Sequence, residues 1–81
     1  TLPTSVVGQQ IMIYLGATGC ELRTVALSNE TINTVDSDGT NELALVAAGV
    51  FTCVCQAASK WVIYGWTSAG AAIATLTPDA A

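Results

Sequence analysis

The chain has 81 residues, of which 52% are hydrophobic and 10% are charged, and its formal net charge is −4. Two basic residues cannot form the cationic cluster that phosphate groups require, which argues against nucleic acid and anionic lipid as partners. One domain of this length has a small core, so much of the apolar surface is predicted to lie at contacts with other subunits.

Alternating apolar side chains predict β-strands from the start of the chain. The first strand covers residues 9–15 and places Ile11, Ile13 and Leu15 on one face. Further strands are predicted over residues 21–27 and 31–35. A turn follows at residues 36–40, where Asp side chains bond to the backbone and Gly39 supplies a positive φ.

The second half of the chain continues the β pattern. Residues 42–48 and 50–57 flank Gly49, which predicts a hairpin. Residues 60–66 form a strand that is apolar on both faces and is therefore expected to be covered on both sides. A terminal strand is predicted at residues 76–79. The fold class is all-β, a small β-sandwich or partly closed barrel of about six to eight short antiparallel strands.

Residues 1–81 are interpreted as a single β-module in which residues 67–81 form a looser C-terminal tail. Residues 1–3 read as the end of a strand, so strands that precede Thr1 are expected to be missing. The most apolar run, residues 43–58, is shorter than the roughly 20 residues that span a bilayer and reads as two strands. No membrane partner is predicted.

The three cysteines do not form an even disulfide framework. Cys53 and Cys55 alternate about Val54, and a bond between residues so close on an extended strand would be strained. Zinc prefers four ligands, whereas the chain has three Cys and no His. Cys20, Cys53 and Cys55 are all predicted to be small buried thiols of a protein assembled in a reducing cytoplasm.

No set of residues indicates catalysis, and the chain is predicted not to be an enzyme. A Ser or Cys nucleophile would need Lys60 or a carboxylate as its base, because the chain has no His. Residues 36–39 resemble the start of a calcium loop, but Glu42 follows too early to complete one. A plain turn is favoured over a weak ion site, and no catalytic residue, metal or cofactor is predicted.

Trp61 and Trp66 lie five residues apart on one predicted strand and therefore face opposite sides. One can fill the core while the other anchors a partner. The alternatives are that both are core residues, or that an exposed Trp stacks on sugars. The predicted partner interface, which rests on strand alternation alone, consists of Trp66, Ile63, Tyr64, Leu43, Leu45 and Val46.

A series of short motifs runs through residues 1–66. In order they are Thr1-Leu2-Pro3, Gly8 before the strand Ile11 to Leu15, Thr31-Ile32-Asn33, the turn Asp36 to Thr40, Leu43 to Leu45, Gly49, and Trp61-Val62-Ile63-Tyr64-Gly65. The series resembles small β-modules of tailed-bacteriophage virion proteins. Two features depart from that pattern, since strands before Thr1 are missing and Cys53-Val54-Cys55 replaces an alternation of Val and Thr.

Such modules occur in capsid decoration (cement) proteins and in tail-fibre or tailspike segments. The resemblance implies a non-enzymatic virion structural protein that stabilises the phage head as a homotrimer in contact with the major capsid protein. It also implies a location on the capsid surface after assembly in the bacterial cytoplasm. The alternative is a receptor-binding or structural domain of a tail fibre, and a non-viral adhesin or filament subunit fits the composition equally well.

Overall fold

The computed structural model describes residues 1–74 and 76–80, in which eight strands form two sheets. One sheet has five strands in the order β1-β6-β7-β3-β4, and the other has three in the order β2-β5-β8. The strands are β1 (Gln10–Leu15), β2 (Cys20–Leu22), β3 (Thr31–Ile32), β4 (Val35–Asp36), β5 (Asn41–Leu45), β6 (Gly49–Ala57), β7 (Lys60–Thr67) and β8 (Asp79–Ala80).

The predicted all-β fold is confirmed, and within the described residues neither sheet closes into a barrel. Strands β1, β6 and β7 lie side by side with antiparallel pairing, and the predicted alternation along β1 and β7 is confirmed. The pairing is not antiparallel throughout, because β3 runs parallel to β7. The two sheets pack face to face with their apolar side chains between them.

The core lies between the sheets and draws on both. The five-stranded sheet contributes alternate residues of its central strands, and the three-stranded sheet contributes leucines. The buried residues are Leu2, Leu22, Ile32, Leu43, Leu45, Phe51, Cys53, Cys55, Trp61 and Ile63. Trp61 is 1% exposed, so it fills the core as one of the two tryptophans was predicted to do. Burial of each large apolar side chain contributes about 1.5–3 kcal/mol.

The ring of Phe51 lies over two glycines. Gly65 is the cross-strand partner of Phe51, and a Cβ at Gly65 would lie 2.6 Å from Phe51 Cδ1. A Cβ at Gly49 would lie 2.9 Å from Cε2 of the same ring. The two glycines therefore leave the space that the ring occupies, an arrangement in which an aromatic side chain shields glycine in a sheet.

The segment between β2 and β3 is held by the buried Glu30, which is 3% exposed. Its Oε1 accepts hydrogen bonds from Trp61 Nε1 at 3.2 Å and from the backbone N–H of Ser5 at 3.0 Å. Its carbonyl accepts from Thr24 Oγ1 at 3.1 Å and from the N–H of Ser37 at 3.2 Å. Glu30 therefore connects the N-terminal segment, β7 and the turn that precedes β5.

The predicted strand over residues 31–35 is wrong, because the chain turns at Asn33 and Thr34. Both have positive φ, 47° and 74°, as in the two-residue turns that join tight hairpins. Asn33 Oδ1 accepts the N–H of Ile63 at 2.8 Å, and Asn33 Nδ2 donates to the carbonyls of Ile63 and Leu76. The Asn33 amide thus continues the pairing along β7 where β3 ends.

The predicted hairpin about Gly49 is also wrong. Strand β5 pairs with β2 and β8, whereas β6 pairs with β1 and β7, so the chain crosses between the sheets at residues 46–48. The crossing follows from packing, because it lets Leu45 and Phe51 face the same core from opposite sheets. Gly39, expected to have a positive φ, does not have one.

Two other predicted segments differ in extent. The strand predicted over residues 21–27 ends at Leu22, and Leu27 has a φ of 57°. The predicted tail of residues 67–81 includes Thr75 and Ala81, which lie outside the described residues. Within it, β8 pairs with Asn41 and Glu42, and the N–H of Ile73 donates to the carbonyl of Gly65 at 2.9 Å. In the described part of the chain, no helix is long and apolar enough to cross a membrane.

Gly65→Ala should destabilise the fold, because the new methyl group would have to displace the Phe51 ring. Overpacking of this kind costs about 1–3 kcal/mol. The matched control is Gly39→Ala, since Gly39 has open space around it and no positive φ. Urea unfolding of both variants gives the free energies, and an equal effect of the two substitutions would show that Phe51 does not depend on Gly65.

Candidate interaction surface

The five-stranded sheet has one face turned away from the core, here called the outer face. Its side chains lie in rows across β1, β6 and β7, and the register aligns Met12 with Thr52 and Tyr64 in one row. The apolar part of the outer face consists of Gln10, Met12, Tyr14, Val50, Thr52, Val54, Val62, Tyr64 and Trp66. It carries no charge, whereas Lys60 and Asp36 lie on the same face at the β3–β4 end, in one row with Thr31.

Large apolar and aromatic side chains dominate the outer face. Tyr14 is 76% exposed, Met12 68%, Tyr64 55% and Trp66 40%. The solvent face of an antiparallel sheet is ordinarily polar, so a row of this composition is unusual. A contiguous exposed apolar patch on a small protein indicates a site of contact with another molecule.

The geometry of the outer face is set by the sheet. Tyr14 and Trp66 lie in one row on either side of Val50, and two strand spacings separate them by about 10 Å. Tyr64 precedes Trp66 by two residues on β7 and lies about 7 Å from it along the strand. Because the backbone beneath is paired, these side chains form a platform whose spacing is set before a partner binds.

A groove of about 520 Å³ adjoins this platform. One wall is formed by Tyr64 and Trp66, and the other by the chain on either side of Ile73. A backbone bridge between Trp66 and Ala72 holds the two walls together. Among the described residues, the groove lining carries no charge.

The structure divides the predicted interface residues into two groups. Tyr64 and Trp66 lie on the outer face, and Val46 is 62% exposed in the connection between β5 and β6. Ile63, Leu43 and Leu45 are each 2% exposed in the core, so their prediction as surface residues needs correction.

Strand alternation explains why these three residues are buried. Ile63 shares a face with Trp61, which fills the core, so it cannot lie beside Tyr64 and Trp66. Leu43 and Leu45 have the same parity on β5, and both point at the opposite sheet. The prediction that Trp61 and Trp66 face opposite sides is confirmed.

Sequence reasoning missed Met12 and Tyr14 as part of the same surface. The signal was present, because residues 9–15 are apolar on both faces of the alternation. Strands β1 and β7 share a sheet because both pair with β6. Alternation within one strand does not specify which strands pair with each other.

The turn at residues 36–40 uses its acidic groups to close the chain. Asp38 Oδ2 accepts the N–H of Asn29 at 2.9 Å, and Asp36 Oδ1 accepts the N–H of Asp38 at 3.2 Å. The hydrogen bond from the Asn29 N–H, which has the larger effect, and the hydrogen bond with Asp36 both lower the pKa of Asp38 below its ordinary value of 3.8. In the described residues, no three His, Cys, Asp or Glu side chains are grouped to hold a metal ion.

The cysteines occupy two environments. Cys53 and Cys55 are buried in the core as predicted, but Cys20 is exposed, so its predicted burial is wrong. Cys20 is the first residue of the edge strand β2 and, although it has the same parity as the buried Leu22, it is not covered by the core. Removal from water raises the pKa of the Cys53 thiol to about 11, and Cys55 Sγ donates to the carbonyl of Ala57 at 3.3 Å.

No protein-family model, curated protein or solved structure matches the chain significantly. The resemblance to phage virion modules therefore stays a prediction.

The lowered pKa of Asp38 predicts a pH dependence of stability. A carboxyl whose pKa falls on folding stabilises the protein above its unfolded pKa, and that stability is lost as pH falls through the folded pKa. Asp38→Asn should therefore be less stable than the parent chain near neutral pH, with the difference shrinking below pH 3.8. Urea unfolding across this range measures it, and a constant difference would contradict the assignment.

Native thiol reactivity should separate the three cysteines. The thiolate is the reactive form, so a buried Cys53 with a raised pKa should react only after unfolding, as should the buried Cys55. Cys20 should react at once with an aromatic disulfide reagent. Cys20→Ser should abolish the fast reaction, and a second fast thiol in the folded chain would contradict the burial of Cys53 and Cys55.

Proposed function

We propose that this chain is a non-enzymatic structural module that binds another protein through the outer face, and that it decorates the head of a tailed bacteriophage. The observation that carries the binding role is the uncharged apolar part of the outer face, on which Tyr14, Tyr64 and Trp66 are exposed. The phage setting and the choice of the major capsid protein as partner are supported by the sequence resemblance.

The outer face suits the binding of a protein surface for three physical reasons. Trp and Tyr are the side chains that most often carry binding energy at the centre of interfaces. Covering the apolar part of the outer face removes no ion from water, so binding avoids a desolvation penalty that would offset favourable contacts. The paired strands fix the backbone beneath Tyr64 and Trp66, so little backbone freedom is lost there on binding.

Stabilisation of a shell follows from linkage. A module that binds assembled capsid and not free subunits shifts the equilibrium toward the shell by mass action. Such a role requires a surface that adheres and no catalytic chemistry. Such a role also requires no charged residue at the contact. Arg23 is instead paired with Glu42, with 2.7 Å between Arg23 Nε and Glu42 Oε2.

The alternative is a receptor-binding domain of a tail fibre, and the groove beside Trp66 favours it. An aromatic wall beside an uncharged groove is a combination suited to stacking on a sugar ring. The two functions differ in the abundance of the protein. A cement protein is present in a simple ratio to the capsid subunit, whereas a fibre domain is present in few copies per particle.

Quantitative mass spectrometry of purified virions against the major capsid protein tests the proposal. A simple ratio between the two chains is expected for a decoration protein. A few copies per particle would favour the fibre alternative, and no copies would contradict the phage setting itself.

Trp66→Ala should weaken binding to preassembled capsid shells by about 2 kcal/mol, which is roughly thirtyfold in affinity. The fold should be retained, because Trp66 is 40% exposed and lies outside the core. Leu27→Ala is the matched control, since Leu27 is 91% exposed but lies in the loop between β2 and β3. Cosedimentation with shells gives the affinities, and equal losses for both variants would contradict the outer face as the site.

A further inference from the structure

Strand β1 lies at the end of the five-stranded sheet and pairs only with β6 among the described strands. The N–H of Cys55 donates to the carbonyl of Gln9 at 2.9 Å, which places residue 9 at a hydrogen-bonded position of the ladder. Because such positions alternate along an antiparallel ladder, Ile11, Ile13 and Leu15 also direct their backbone groups at β6. The backbone N–H and C=O groups of Gln10, Met12 and Tyr14 therefore point away from the sheet.

This edge lacks the features that ordinarily prevent edge strands from pairing. The segment QIMIYL contains no charge and no proline, and its six pairs with β6 run without a bulge. The other long strand is protected, because Asn33 and the N–H of Ile73 occupy the backbone groups of β7 beyond β3. Strands β2, β4 and β8, at the remaining edges of the described sheets, have two or three residues each.

We infer that β1 pairs with β1 of a second copy of this chain, antiparallel and centred on Met12, to give a two-fold dimer with a continuous sheet. In this register Met12 faces Met12 of the second copy and Gln10 faces Tyr14. Each pair exchanges two N–H···O bonds. If the register shifted by two residues, one outward-directed residue of each β1 strand would have no partner in the other strand. The register centred on Met12 pairs all three outward-directed residues of both strands, which are Gln10, Met12 and Tyr14.

The side chains also fit a second copy. Opposed residues of an antiparallel pair lie on the same side of the sheet, so Met12 and Tyr14 join the two outer faces into one apolar surface. On the other side Ile11 meets Ile13, and both are only half-buried in the single chain. No charge lies on β1, so the net charge of −4 on each chain is kept away from the contact line.

A second copy is the occupant that these features select. The strand offers its own complement in both backbone direction and side chains, and a two-fold pair leaves neither β1 edge open. The pairing rests on the edge and not on the proposed function, although it would double the outer face. It is two-fold, so it replaces the homotrimer predicted from the sequence.

Cysteine cross-linking tests the register in a Cys20→Ser background, which removes the exposed thiol. Met12→Cys places two thiols on the two-fold axis with Cα atoms about 5.5 Å apart, within reach of a disulfide. Tyr14→Cys is the matched control, because the two copies of residue 14 are separated by about 13 Å along the strands. With diamide as oxidant, only Met12→Cys should give a covalent dimer on non-reducing gels. Cross-linking of both variants equally, or of neither, would overturn the register.

Charge substitution separates this inference from the proposed function. Met12→Lys sets two ammonium groups opposite each other and should raise the dimer dissociation constant about tenfold or more. Tyr64→Lys adds the same charge in the same row, but about 10 Å farther from the axis, and should leave the dimer intact. Light scattering after size-exclusion chromatography gives the masses. A parent chain that is monomeric or trimeric, or a Met12→Lys variant that still dimerises, would overturn the inference. Binding of Tyr64→Lys to capsid shells tests the proposed function independently.

Discussion

The structure depends on one constraint, which is that a five-stranded sheet with apolar side chains on both faces has only one face covered. The three-stranded sheet supplies Leu22, Leu43 and Leu45 to the core and fills the space above Phe51 and Trp61. A chain of 81 residues has no further element in its described part to lay over the opposite side. Small domains bury a modest fraction of their surface, and here the apolar surface that stays exposed is concentrated on one continuous face.

Within the covered side, a few polar and small residues fix the arrangement that apolar volume alone would leave open. Glu30 accepts hydrogen bonds from Trp61 Nε1 and from the N–H of Ser5, which fixes the orientation of the Trp61 ring in the core. Asn33 takes the place of a strand residue beside Ile63. The close approach of Phe51 to Gly65 then sets how the central strands pack. Each contact removes an alternative packing, which is how a small core reaches a single structure.

The sequence predicted most of the local structure and less of the connectivity. Period-two patterns gave β1 and β7 nearly to the residue, because alternation is a property of one strand and its neighbours in sequence. The hairpin about Gly49 failed because a short loop is compatible both with a hairpin and with a crossing between sheets. Only the burial of Leu45 and Phe51 in one core separates those two arrangements.

The candidate site shows the same limit. Trp66 and Tyr64 were predicted because both follow from the position of Trp61 within a single strand. Ile63, Leu43 and Leu45 were assigned to the surface because apolar character alone does not say which face is covered. The positive φ at Asn33 and Thr34 likewise broke a strand that β-branched composition favoured. At Asn33, side-chain to backbone bonds over long sequence separation fix the turn, and no local pattern encodes them.

The exposed face and the open edge meet on β1, and this connects assembly to solubility. Met12 and Tyr14 belong to the outer face through their side chains and to the edge through their backbone groups. An uncharged edge beside an apolar face is the combination that natural sheets avoid, because it pairs with any exposed strand. A closed two-fold pair removes that hazard without a charge or proline, since it satisfies both edges at once. The same pairing widens the flat apolar surface that a larger assembly could cover, so the absence of charge on β1 serves both contacts.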